Sequence, residues 1–208
     1  MRTLLAALSL PAVLTMCATA QQQPKPPVPA IALATGTLAG QGVIVLPLTM
    51  VVRDPRVPGG TGAPARAAML AWGDSLLADA LAERAPEVTW ILPPALRRTA
   101  ARSPGLLPSP DQMGQSVLRA PNLEVVPDPL RGYLRQLIAL SGGGRFALIP
   151  AALFLEPAPG DSLKVQLSAV LTDGRLGRIV WRTLLVGQGE TADQAYRAAL
   201  ATMLPATP

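Results

Sequence analysis

A chain of 208 residues with 18 Lys and Arg, 13 Asp and Glu and no histidine excludes more chemistry than it names. Without an imidazole there is no Ser-His-Asp or Cys-His nucleophile, no His-ligated zinc and no histidine general base. One cysteine leaves no intrachain disulfide, and a mild excess of arginine with only three Trp, two Tyr and two Phe to stack on bases does not describe a nucleic-acid surface.

At the amino terminus Arg2, the apolar stretch Thr3 to Met16 and the small-residue site Ala18-Thr19-Ala20 predict a signal peptide over 1–20, and hence a periplasmic or secreted protein. Cys17 offers an alternative, lipid-anchored form, the only route to membrane association besides an uncleaved signal. Against it, Met16 is bulky where an acylation motif has Gly, Ala or Ser. Residues 21–41 read as a Pro-rich tether, from Pro24, Pro26, Pro27 and Pro29 among Gln and Lys. Ile31 to Gly40 receives no element.

From Gly42 the run Val43, Ile44, Val45, Leu46, Leu48, Met50, Val51, Val52 has the composition of a strand buried on both faces, with Pro47 marking an edge or a bulge. Arg53 to Pro64 is a Pro- and Gly-rich loop. Helical spacing of Met69, Trp72, Leu76, Leu77, Ala80 and Leu81 predicts a helix over Ala65 to Arg84, with Asp74, Asp79 and Glu83 on its polar side. Gly73 weakens that helix by about 1 kcal/mol. Pro86 ends it, and Val88 to Leu92 is a short strand.

Residues 93–127 are too rich in proline for regular strands and are predicted as an irregular insertion with short helices near 94–102 and 111–118. It carries Arg97, Arg98, Arg102 and Arg119, read either as a solvated surface or as a contact patch for an acidic partner. Asp128 is expected to cap the next helix with Pro129 at its first position, Leu130, Tyr133, Leu134, Leu137 and Ile138 inside, and Gly142 closing it. Phe146 to Leu155 is an apolar strand.

Leu163, Val165, Leu167, Ala169 and Leu171 then alternate with Lys164, Gln166, Ser168, Val170 and Thr172, the pattern of a strand with one buried face. With Asp173 to Gly177 as the loop, Arg178 to Val186 returns as a hairpin arm. The expected register pairs Thr172 with Arg178, Leu171 with Ile179, Ala169 with Trp181, Leu167 with Thr183 and Val165 with Leu185. A one-residue slip would bring Arg178 and Arg182 onto the apolar face. Thr191 caps a last helix with Ala195, Tyr196, Ala198, Ala199, Leu200 and Ala201 inward, ending at Pro205. The fold class is therefore α/β (α+β): a mixed sheet of about five strands in the order β-α-β-(loop, short helices)-α-β-β-β-α, as one domain over 42–204 with a tail at 205–208.

The chain carries no known catalytic motif. Gly142-Gly143-Gly144-Arg145 follows a helix and precedes a strand, so it is a helix stop and not a phosphate loop. Ser162-Leu163-Lys164 is S-x-K, not S-x-x-K. The carboxylates Asp74, Asp79, Glu83, Asp111, Glu124, Asp128, Glu156 and Asp161 leave a carboxylate-based hydrolase as the least favoured reading. No cofactor or metal is expected.

Arg145-Phe146-Ala147-Leu148-Ile149, Lys164 to Asp173 and Gly177-Arg178-Ile179-Val180-Trp181 resemble the closing strands of the TolB amino-terminal and CsgG-like families. Those share a hairpin reading roughly x-V-x-x-x-L-x-D and G-x-x-V-W. The resemblance implies an exported α/β module that binds other envelope proteins and has no catalytic residues. The chain departs from the families at Pro150, where they prefer Gly, and no β-propeller follows as in TolB. The Pro-rich insertion cannot form the membrane hairpins of a CsgG-like pore. A periplasmic domain for a small apolar or anionic ligand is the alternative.

Overall fold

A computed structural model describes residues 30–57 and 65–205; the expected signal peptide, Cys17, the first part of the expected tether, residues 58–64 and the last three residues lie outside them. In chain order the elements are β1 (Gly42–Val45), β2 (Val51–Arg53), α1 (Arg66–Arg84), β3 (Thr89–Ile91), α2 (Pro93–Arg102), α3 (Leu130–Leu140), β4 (Phe146–Pro157), β5 (Leu163–Asp173), β6 (Arg178–Gly189) and α4 (Ala192–Met203). The strands form one mixed sheet ordered β3-β1-β4-β5-β6, with β2 also on β4. β1 and β2 run parallel to β4, while β4, β5 and β6 form an antiparallel meander. One face, with Val43, Val45, Leu148, Leu167 and Leu185, is covered by α1 and α4. The other, with Ile44, Leu46, Ile149 and Val170, lies under α2, α3 and the turns between them.

The apolar run at 43–52 is two collinear strands, not one. Pro47 has no N–H to give the ladder, so β1 stops before it and β2 rejoins β4 five positions further along, at Leu153. β4 carries its own irregularity at the same level, between Pro150 and Ala152. β1 itself is central and buried, as its composition predicts.

The hairpin forms, but its register differs from the expected one. Asp173 belongs to β5 and pairs with Arg178, and an irregularity beside Leu171 and Thr172 leaves Val180 unpaired, so that Leu171 faces Trp181, Ala169 faces Thr183 and Leu167 faces Leu185. The two-residue offset beyond the bulge keeps Trp181 and Leu185 on one face, while Ile179 turns to the other. The turn causes this. Asp173 Oδ1 accepts the N–H groups of Arg175 and Leu176 at 2.9 and 3.0 Å, which shortens the loop to four residues. Nor is the second face of β5 solvated throughout, because Val170 and Thr172 are fully buried.

Asp173 is itself fully buried, and its other oxygen accepts from Arg145 Nε at 2.6 Å. Burial raises the Asp173 pKa, but the Arg145 guanidinium and the two N–H donors together outweigh it and hold the carboxyl below its ordinary value. A depressed folded pKa contributes stability above the unfolded value, about 3.9, that is lost as pH falls through the folded value. Asp173→Asn, which keeps one acceptor and loses the charge, is expected to cost about 1–2 kcal/mol near neutrality. Its urea midpoint should fall less than that of the parent on acidification, and an unchanged acid slope would contradict this account.

Two helix ends follow the sequence and one does not. Thr191 Oγ1 accepts the Gln194 N–H while Gln194 reaches back to Thr191, a complete capping box. Gly142, with φ at 66°, closes α3 where a side chain would be strained. Asp128, however, does not cap α3. Leu130 is the first helical residue, Pro129 takes the cap position, and the Asp128 carboxylate pairs with Arg131 instead.

Candidate functional site

The interruption at Pro47 strands two backbone groups inside the protein, and a polar cluster takes them up. Asp74 Oδ1 accepts the Leu48 N–H at 2.7 Å, and Gln115 Nε2 donates to the carbonyls of Pro47 at 3.0 Å and Pro110 at 2.9 Å. Arg97 then links Asp74, at 3.3 Å, to Asp111, at 2.7 Å. Asp74 is thus not on a solvated helix face, since its side chain is only 12% exposed. Burial raises its pKa; the Leu48 N–H and Arg97 offset this in part, and Asp111 adds to it. For Asp111 the Arg97 hydrogen bond dominates and lowers the pKa. Of the eight carboxylates named from the sequence, these two meet, but one guanidinium bridges both and a backbone donor occupies the first. Among the described residues no group of three or more Asp, Glu or Cys is placed to hold a metal ion.

Arg97, Arg98, Arg102 and Arg119 do not make one patch of free charge. Arg97 is held by its two carboxylates. Arg98 and Arg102 are exposed on α2. Arg119 stands apart, at the rim of a concavity of about 560 Å³ over the helix-free end of β4, β5 and β6. Phe154, Leu184 and Val186 give that concavity an apolar floor, and Leu184 is 49% exposed.

Arg182, which the expected register kept off the apolar face, lines the same concavity. It donates to the carbonyls of Leu118 and Leu123, tying the Pro-rich segment to the sheet, and desolvation lowers its pKa. Alternation along β6 did carry a signal, because Arg182 falls between Trp181 and Thr183, which face the other way. What the alternation could not show is that helices leave this end of the second face bare.

A second cleft, of about 660 Å³, opens between α1 and the start of α4. Met69, Trp72, Leu155 and Leu163 form its apolar wall, and Trp72 Nε1 donates to Asp193 at 2.8 Å. No helix among the described residues is long and apolar enough to cross a membrane.

Among solved structures, the LpoB C-terminal domain from Salmonella enterica is 14% identical over 75% of this chain and 87% of that one, with a TM-score of 0.43. LpoB from E. coli is 15% identical over 91% of this chain and 85% of that one, at 0.42. PelC from Paraburkholderia phytofirmans, a dodecamer, is 14% identical over 87% and 96%, at 0.39. Neither TolB nor CsgG is among these three, and that finer assignment stays with the hairpin motif. No family model and no curated relative matches the chain.

Proposed function

We propose that the chain is an exported, non-enzymatic contact module of the cell envelope that binds another protein through the open end of its sheet. The observation that carries this reading is a contrast between two regions. The Asp74 and Asp111 pair is closed on Arg97, whereas Phe154, Leu184 and Val186 keep apolar surface open beside Arg119 and Arg182. Exposed apolar surface rimmed by polar groups marks interaction sites. The TolB- and CsgG-like hairpin motif agrees with a binding role, and the signal-peptide pattern supports the compartment. Within the patch read from sequence, Arg119 is the residue assigned to contact.

A small-ligand site in the cleft at Met69 and Trp72 is the second reading, because about 660 Å³ is within the usual range for such sites. The protein immobilised and exposed to envelope extract, in parallel with its Leu184→Glu variant, separates the two. The first reading expects a defined set of envelope proteins retained by the parent and reduced about tenfold with the variant. Equal retention by both refutes it. No retention, together with a saturable heat signal from a metabolite mixture, favours the second.

A further inference from the structure

We infer that the outer edge of β6 takes an extended strand from a partner protein, in which apolar side chains alternate with at least one carboxylate. This rests on the contact-module reading and specifies the chemistry of its partner.

The edge itself is the first observation. β6 ends the sheet, and its first residues are already paired on the outside, where Ile179 N–H donates to the Glu124 carbonyl and Val126 N–H to that of Gly177, both at 2.9 Å. Further along, Ile31 N–H meets Thr183 Oγ1 at 3.1 Å and Trp181 Nε1 meets the Ala32 carbonyl at 3.2 Å, contacts that engage side chains and not the β6 backbone. From Leu184 to Gly189 no described residue pairs with the outer edge. Free edges are ordinarily blunted by lysine, proline, a bulge or an inward charge, and Leu184 to Gly189 has none of these. Such an edge is a template for strand addition, and Leu184 and Val186 line the concavity beside it.

Charge selects the occupant. Among the described residues Arg182 hydrogen-bonds only to carbonyls, and Arg119 only to Met50 Sδ, at 3.6 Å. Two guanidinium groups therefore line an apolar concavity with no carboxylate against them among the described residues. Glu156, on the same face of β4 as Phe154, is already taken by Lys164 at 2.7 Å and Gln166 at 3.0 Å. The undescribed residues offer no acidic side chain, since no Asp or Glu occurs in 1–29, 58–64 or 206–208, and the tether there adds Lys25. A carboxylate on another molecule would complement both guanidinium groups, and the edge beside them favours one with a backbone to pair.

A random dodecapeptide library selected on the immobilised full chain tests this. Enriched peptides should alternate apolar residues with Asp or Glu. Their affinity, read by fluorescence anisotropy, should fall about tenfold with Arg119→Ala and with Leu184→Lys. Both residues are exposed, so circular dichroism should show both variants folded. Methylating alternate peptide nitrogens should abolish binding in one phase and spare it in the other. No enrichment, enriched peptides lacking acids, or equal binding to both variants overturns the inference. So does binding of laurate that depends on Arg119 where no peptide binds, or self-association of the chain that Leu184→Lys abolishes. Should envelope proteins be retained in a Leu184-dependent way while the library yields nothing, the strand inference falls and the contact-module reading stands. Failure of both experiments removes both.

Discussion

Replacing Gly187 with alanine is expected to cost at least about 3 kcal/mol, because the new methyl group has nowhere to go. A Cβ built there lies 2.1 Å from the Ala195 carbonyl oxygen and 2.3 Å from the Ala199 nitrogen, both backbone atoms of α4. A flexible neighbour could turn aside, but a helix backbone cannot. Helix α4 seats directly on β6 through Ala195 and Ala199, and Gly189 repeats the close approach, 2.7 Å from the Ala195 nitrogen. The methyl would lift the helix off the sheet and expose Tyr196, Leu200 and Met203, all of them buried. In a protein of this length the loss corresponds to about 6–12 °C in Tm. Gly132→Ala is the matched control. It is exposed on α3 with nothing within 4 Å, so the same change should raise stability by about 1 kcal/mol. Equal thermal shifts for the two variants would show that α4 does not sit where described.

Asp74→Ala should cost about 3 kcal/mol, since it leaves the buried Leu48 N–H without an acceptor. Asp74→Asn should behave differently. Its amide oxygen still accepts that N–H, Arg97 keeps Asp111, and the change should fall within about 1 kcal/mol of the parent. The sign of the pH effect follows from the raised carboxyl. Here the folded state holds the proton more tightly than the unfolded state, so this group's contribution falls as pH rises from about 3.9 through the folded value. That slope opposes the one from Asp173, and Asp74→Asn removes it. Urea unfolding of the three proteins across this range checks both points. Similar losses from Ala and Asn would mean that charge, not the acceptor, holds the strand break together.

What could be read in advance had short-range causes. The Thr191 cap, the Gly142 helix stop, the α1 stripe and the alternation in β5 each depend on neighbours within a few positions. What escaped depends on partners far along the chain. Pro47 announces a break, but nothing local to it shows that Asp74, 26 positions from Leu48, and Gln115, 68 from Pro47, satisfy the freed groups. The register failed because Asp173 serves both as a strand residue and as the turn's acceptor, a choice fixed in part by Arg145 from β4's approach. Asp128 looked like a cap because Asp-Pro is a common opening, yet Arg131 competes for its carboxylate. The concavity was hidden for a different reason: sequence shows which residues could face a helix, not where the helices stop covering the sheet.

β4 is where the sheet's parallel and antiparallel halves join, since β1, β2 and β5 all bond to it. A ribosome makes β1 on the order of a hundred residues before β4, and long-range pairing of this kind is slow to form. Until then β1 has only β3, over three residue pairs, too little to persist alone. The nascent amino-terminal half must wait unpaired, its valines and isoleucine accessible to chaperones, while the final third can assemble from its own consecutive segments. A product truncated ahead of Phe146 would have no sheet to join.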